Sequence, residues 1–200
     1  MLNTQYRMFA TLSCAISNMF YNGQLNCGKY DTSGLLRLHT TKAMPNRLTG
    51  SKSLCNAQEA DVAAIFANKH FAAGGSTALL TFYKDQKQLL EKRASPGVSV
   101  LTVDASQGQE FEHVVLSCTV DGSRWSFLHD QRRMNVALSR AKKTLDIVCH
   151  ENLLSNLPAI VAMRTASAGK AVPLGLLAAT KRPGRRRFAH LGGRFVNRTS

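Results

Sequence analysis

"HVVLSCTV", residues 113–120, packs five apolar residues into eight positions and carries no Asp, Glu, Lys or Arg. A run this short and this rich in β-branched residues reads as a strand, and its near-continuous hydrophobicity predicts burial on both faces. Strands of that kind belong to parallel sheets covered by helices on either side. Three more runs repeat the pattern: "STALLTFY" (76–83), "GVSVLTV" (97–103) and "TLDIVCH" (144–150). A shorter strand is expected at Leu35–His39, followed by a loop through "LHTTKAMPNRLTGSKSL" (38–54), which is dense in turn formers.

Helical spacing fills the intervals. In "NAQEADVAAIFANKHFAA" (56–73), Ala60, Ala63, Ala64 and Ala67 share one face. "DQKQLLEKRA" (85–94) is a shorter amphipathic candidate, and "FATLSCAISNMFYNGQL" (9–25) closes at Asn22-Gly23, a helix-stop signal. "ENLLSNLPAIVAM" (151–163) is expected to break near Pro158. Strands alternating with helices predict an α/β, doubly wound, mainly parallel sheet over residues 1–163.

"QRRMNVALSRAKK" (131–143) carries five cations and no acid, yet Met134, Ala137, Leu138 and Ala141 fall at the spacing of one apolar helix stripe. Read as one helix, it sets Arg133 and Arg140 about 10 Å apart on nearly the same face. Guanidinium groups there would suit phosphate oxygens. The alternative is a solvated basic helix face.

Charge is unevenly spread. The chain of 200 residues has a net charge of +14, but residues 164–200 hold nine Lys/Arg and no Asp or Glu, leaving +5 for residues 1–163. That segment includes "KRPGRRRFAHLGGRF" and has no sustained apolar face, so it is expected to be a disordered or linker-like basic tail. It would serve as a nucleic-acid contact or as a plain extension. Five scattered cysteines form no C-x-x-C pair, which suits buried thiols in a reducing compartment better than disulfides or a metal site. No apolar run reaches 18 residues and the N-terminus lacks a signal-peptide layout, so an intracellular location, nuclear or cytoplasmic, is expected.

Three loops complete the pattern: "NTQYRM" (3–8), "TFYKDQ" (81–86) and "TVDASQGQEFEHVVLS" (102–117). Ligands in open α/β sheets gather at the carboxyl ends of strands, where all three are expected to sit. With "RRMNVALSRAKK", these residues resemble the second RecA-like domain of superfamily 1 helicases, and specifically the up-frameshift and senataxin-like group. In that group "QYRM", "TPYxxQ", "VDxxQGxExDxVxxS" and "RRxNVAxSRAK" occur in this order; the likeness covers roughly residues 2–150.

The resemblance implies a RecA-like fold and roles for the matched positions. Tyr6 would stack on the nucleotide base, the alternative being a hydrophobic anchor at a helix entry. Arg7 would reach the terminal phosphate, and Arg140 would be the arginine finger, the two forming the catalytic pair. Glu110 would accept from the ribose, or be a solvated loop carboxylate, and Gly108 would let the backbone approach closely. Thr81, Ser106 and Gln107 would contact single-stranded nucleic acid or couple the two sites. Arg133 and Asn135 would orient the finger helix. Trp125 and Phe127 would stack on a base or pack under that helix, and His113 reads as a strand-start residue. Cys118 and Cys149 read as packed thiols. Phe9-Ala10 stands where the family has His-Pro, and Phe82 where it has the Pro of "TPY", which puts fine positioning in doubt.

No G-x-x-x-x-G-K-[ST] occurs in the chain, and no strand ends in paired acids that would hold magnesium. In the resembled family these lie in the first RecA-like domain, with ATP and Mg²⁺ between the two domains. The chain is therefore expected to be half of an ATP-dependent RNA or DNA helicase, inactive as an ATPase without its first domain, with Met1 internal to a longer protein or starting a truncated product. Single-stranded RNA or DNA and that first domain would be its partners, with no membrane involved. The competing expectation is a helicase relic that binds nucleic acid or protein without motor activity.

Overall fold

The computed structural model describes residues 3–28, 31–120 and 127–167, and the backbone of 171–173. Along the chain the elements are β1 (Thr4–Gln5), α1 (Ala10–Phe20), β2 (Asn26–Cys27), β3 (Leu35–Thr41), α2 (Ala57–Ala72), β4 (Thr77–Thr81) and α3 (Lys84–Glu91). There follow β5 (Ser99–Thr102), β6 (Phe111–Ser117), α4 (Gln131–Leu138), β7 (Ala141–His150), α5 (Leu153–Asn156), α6 (Pro158–Ala166) and β8 (Ala171–Pro173). Two short 3-10 turns, Asp104–Ser106 and Phe127–His129, lie in the connections.

One parallel sheet runs in the order β5-β4-β6-β7-β3-β8. Its apolar runs feed two separate cores by simple alternation. On one face Ala78, Leu80, Val114, Leu116, Leu145 and Ile147 pack under α1, α4 and α6. On the other, Leu79, Val115 and Val148 pack under α2 and α3. Burial on both faces is what uninterrupted hydrophobicity predicts for a central strand. The α/β doubly wound, RecA-like expectation holds. Among the described residues no helix is long and apolar enough to cross a membrane.

Side-chain caps start two of the helices. Asn56 accepts from Glu59 N at 3.0 Å to start α2, and Asp130 accepts from Arg132 N and Arg133 N to start α4. Pro158 stands at the first position of α6, which accounts for the break from α5. Asn22 and Gly23 take positive φ after α1.

Several expectations need correction. The basic helix does not extend over 131–143: α4 stops at Leu138, and β7 begins at Ala141. Backbone pairing takes the chain over, because Phe111 N donates to Arg140 O at 3.0 Å and Phe111 registers against Ala141. Helix propensity is a weak prior beside such tertiary pairing. Arg133 and Arg140 therefore do not share a helix face. The three loops do not all gather at the carboxyl edge either. Residues 81–86 do, but β5 and β6 both flank β4 in parallel, so residues 103–110 must travel from the carboxyl end of β5 to the amino end of β6.

The boundary expected at 163 also shifts: α6 runs through Ala166, and the backbone of 171–173 adds a strand beside β3. Residues 168–170 and 174–200 of the expected tail lie outside the described residues, as does Trp125.

Candidate functional site

The site grows from a clamp too short to read in the sequence. β1 pairs with β2 in parallel, Thr4 against Asn26 and Gln5 against Cys27. Oε1 of Gln5 then accepts from Arg7 N at 2.9 Å and Met8 N at 2.7 Å, and its Nε2 donates to Met8 O at 3.1 Å. This side-chain turn throws Tyr6 outward, 71% exposed, and aims Arg7 toward the sheet. Gly28 lies against the Tyr6 ring so closely that an added Cβ would stand 2.2 Å from it. Phe9, the departure from the family pattern, is buried at 1% exposure and sits against Gly34. It anchors the entry to α1 in the core.

Arg7 crosses to the amino ends of β6 and β7. Its Nε donates to Glu110 Oε2 at 2.7 Å, and its Nη1 reaches Ser139 O at 3.4 Å. The other oxygen of Glu110 pairs with Nζ of Lys142. Hydrogen bonds from Lys142 and Arg7 hold the Glu110 carboxyl below the usual carboxylate range.

Arg140 lies in the short link between α4 and β7, and is 9% exposed. Its Nε donates to Val136 O, Nη1 to Gln109 O and Nη2 to Ser139 Oγ, all at 3.0 Å. Burial, followed by the charge of Arg7, lowers its pKa from an ordinary guanidinium. Arg7 and Arg140 thus both bond to Ser139, and Glu110 sits beside them. A cleft of about 530 Å³ opens over Tyr6, Arg7, Glu110, Glu112, Lys142 and Lys143. Three cations, Arg7, Lys142 and Lys143, and three carboxylates, Asp31, Glu110 and Glu112, share its wall, and Arg140 is not among the lining residues; a phosphate-bearing ligand would meet the cations there. A second, apolar cleft of about 330 Å³, lined by Phe20, Met134 and Leu157 among others, shares no residue with it.

The other expected residues fall elsewhere. Gly108 has φ +83° with open space where a Cβ would go, so the turn itself calls for glycine. Thr81 and Ser106 are fully buried. Thr81 Oγ1 accepts from Tyr83 N at 3.4 Å, and Ser106 Oγ donates to Val103 O at 2.7 Å, so these hydroxyls face inward. Gln107 is exposed.

Arg133 does not adjoin Arg140. It pairs with Asp104 at 3.1 Å and lies 4.8 Å over the ring of Phe127, fixing the first turn of α4 to the 3-10 turn after β5. Asn135 Nδ2 donates to Tyr21 Oη at 3.0 Å, and its backbone carbonyl accepts from Ser139 N at the end of α4. Phe127 tilts against Tyr83 at 5.6 Å and keeps 48% exposure. Cys118 and Cys149 are buried free thiols, and His113 lies in the first turns of β6, stacked on His70.

Two polar clusters escaped sequence reading. At the carboxyl edge, fully buried Glu59 accepts from Ser117 Oγ at 2.8 Å and Thr119 N at 2.7 Å, while Gln86 bridges Asn56 and Ser117. The N-x-x-E pattern at 56–59 was a legible capping signal, but here the Glu turns inward and Gln86 accepts from the cap N–H instead. Nearer the amino ends, Asp146 in β7 accepts from Arg37 (2.8 Å), His39 (2.7 Å) and His70 (2.7 Å). Among the described residues no group of three or more His, Cys, Asp and Glu is arranged to hold a metal ion.

Comparison with known proteins adds an independent line. A family profile described as "AAA domain" matches residues 1–152. The chain is 31% identical over 182 residues to the Regulator of nonsense transcripts 1 homolog of Drosophila melanogaster, a match covering 77% of this chain and 15% of that protein. It is 32% identical over 168 residues to the mouse 5'-3' DNA helicase ZGRF1, covering 74% of this chain and 9% of that one. The chain thus spans a small fraction of these relatives' lengths. A crystal structure of the C-terminal domain of a possible DNA helicase from Lactobacillus plantarum superposes with a TM-score of 0.51 at 16% identity, covering 76% of this chain and 94% of that one. That likeness speaks to the fold.

Proposed function

Because the chain belongs to this AAA domain family, as the second RecA-like domain of a superfamily 1 helicase, we propose that it supplies the cationic half of an ATP site. Arg140 acts as the arginine finger and Arg7 meets the terminal phosphate. Tyr6 stacks on the base and Glu110 accepts from the ribose. The observation that carries this reading is the meeting of Arg7 and Arg140 at Ser139, beside Glu110, on the amino ends of β6 and β7. The two guanidiniums repel each other, and a polyanion that meets both would turn that repulsion into attraction.

The arrangement is a half-site. Magnesium-holding acids and the P-loop belong to a first RecA-like domain, which faces this one across the nucleotide. When bound, ATP supplies the phosphoryl group whose spreading charge the two arginines neutralise. Single-stranded RNA or DNA is the substrate track, met through exposed Gln107, with buried Thr81 and Ser106 setting the loop from behind. An intracellular setting, nuclear or cytoplasmic, goes with these partners.

A phosphate-release assay with single-stranded RNA or DNA present tests this. The chain alone is expected to show no hydrolysis above buffer. Joined in one polypeptide to a P-loop-bearing first RecA-like domain, it is expected to turn over ATP, and Arg140→Ala to cut kcat about 10³-fold. Turnover by the isolated chain, or full activity in the Arg140→Ala fusion, overturns the reading.

A further inference from the structure

Two assignments made for this site compete for the same atoms. Arg7 is to meet a phosphate and Glu110 a ribose hydroxyl, yet here they are bonded to each other, Nε to Oε2 at 2.7 Å. Oε1 of the same carboxylate pairs with Nζ of Lys142. Along β7 the next residue, Lys143, pairs with Glu112 instead, at a register shift where Lys142 and Lys143 lie between the Phe111–Ala141 and His113–Thr144 pairs. Lys142 is therefore the β7 cation committed to Glu110. All three side chains line the same cleft and are a third to two-fifths exposed.

The geometry points to Lys142 as a positioning residue that keeps Glu110 paired while Arg7 changes partner from Glu110 to a phosphate. Oε2 of Glu110 then comes free for a ribose hydroxyl only after the phosphate has been captured. This rests on the nucleotide reading of the site and specifies the order in which its parts engage.

The physical argument has three steps. An anion arriving at Arg7 must displace a resident carboxylate, and its apparent affinity is lowered by the fraction of molecules in which that carboxylate is bound. Once displaced, Glu110 would confront the phosphate as a bare like charge. Lys142 removes that repulsion by holding Oε1 and keeping the carboxylate turned toward β7. The released Oε2 is an acceptor with no remaining donor, which is the condition for taking a ribose hydroxyl. By linkage, a phosphate tightens ribose binding and ribose tightens phosphate binding. The site would therefore favour phosphorylated nucleotides over nucleosides by more than the Arg7–phosphate contact alone provides. Ion pairs this exposed are weak, so the effects are about threefold, not thousandfold.

The test follows the Nε–H resonance of Arg7 by ¹⁵N–¹H NMR in the 200-residue chain during titration with pyrophosphate. Glu110→Gln, which keeps the shape and removes the competing charge, is expected to lower the apparent Kd about threefold. Lys142→Met is expected to raise it by a similar factor, and Lys142→Arg to restore it. The deciding measurement is Lys142→Met in the Glu110→Gln background. A residue acting through Glu110 has no effect there, whereas one that merely adds positive charge weakens binding as before. An undiminished effect in that background, or a wild-type Kd in Glu110→Gln, overturns the proposal and leaves the phosphate role of Arg7 standing. No shift of Arg7 in any variant overturns both.

Discussion

Glu59 shows most directly how one side chain can register pH. Burial pushes its carboxyl up to about 7, against hydrogen bonds from Ser117 and Thr119 that pull it down. Its Oε2 is buried with no partner among the described residues, so the ionised form is poorly housed. The amide it holds belongs to Thr119, a β-branched residue at φ +62°, a conformation that persists only when its surroundings impose it. An acid whose folded pKa is raised gives its full stability below the unfolded value and loses it as pH rises toward the folded one. Between about pH 4.5 and about pH 7 the native state should therefore lose on the order of 3 kcal/mol through this group. Glu59→Gln mimics the protonated form. Urea denaturation across that range should show the variant losing less stability than wild type with rising pH; parallel curves would mean that Glu59 is charged throughout. Periodicity placed Glu59 only within the helix of 56–73; its inward turn depends on Ser117 and Thr119, 58 and 60 residues away.

At the scale of elements, the joint between β3, β7 and α2 rests on Asp146. Burial alone would raise its pKa; hydrogen bonds from His39, His70 and Arg37, with the charge of Arg37, overcome that and hold the carboxyl well below the ordinary range. The stability it contributes is present above the unfolded carboxylate pKa, near 4, and fades as pH falls below it. Asp146→Asn removes the charge that three side chains converge on and leaves Arg37 partly buried without a counter-charge. Loss of a buried partner is severe, and with Arg37 a third exposed we expect about 2 to 3 kcal/mol, read as a lower urea midpoint at unchanged slope. A loss under about 0.5 kcal/mol would show the joint to be held by packing alone. "TLDIVCH" was readable as a strand, but not as the hub of this cluster, because His39 and His70 come from two other elements. The same limit misjudged the end of α4: the stripe Met134, Ala137, Leu138 and Ala141 fits a helix throughout, and only the pairing of Ala141 with Phe111 makes the last of these a strand residue.

For the molecule as a whole, charge and shape have different owners. The described domain carries the sheet and both cores, while most of the +14 net charge arises from residues 164–200. Ending the chain after Pro173 removes seven Lys/Arg and no acid. Affinity for a single-stranded oligonucleotide, followed by fluorescence anisotropy at several salt concentrations, should lose about 0.7 in the log–log slope for each phosphate contact removed. An unchanged slope would assign every phosphate contact to residues 1–173.

The amino-acid sequence by itself determined the layers: apolar runs too short for helices and too continuous for exposed strands must be covered on both faces, and its four ordered motifs led to the helicase family. Only the tertiary structure decided where those motifs lie. A strand passing between two parallel neighbours forces residues 103–110 down the height of the sheet, carrying Glu110 to the amino edge where Arg7, Arg140 and Lys142 converge. Periodicity reports which face of an element is apolar, whereas the meeting of charges far apart in the chain follows from strand order, which no local pattern encodes.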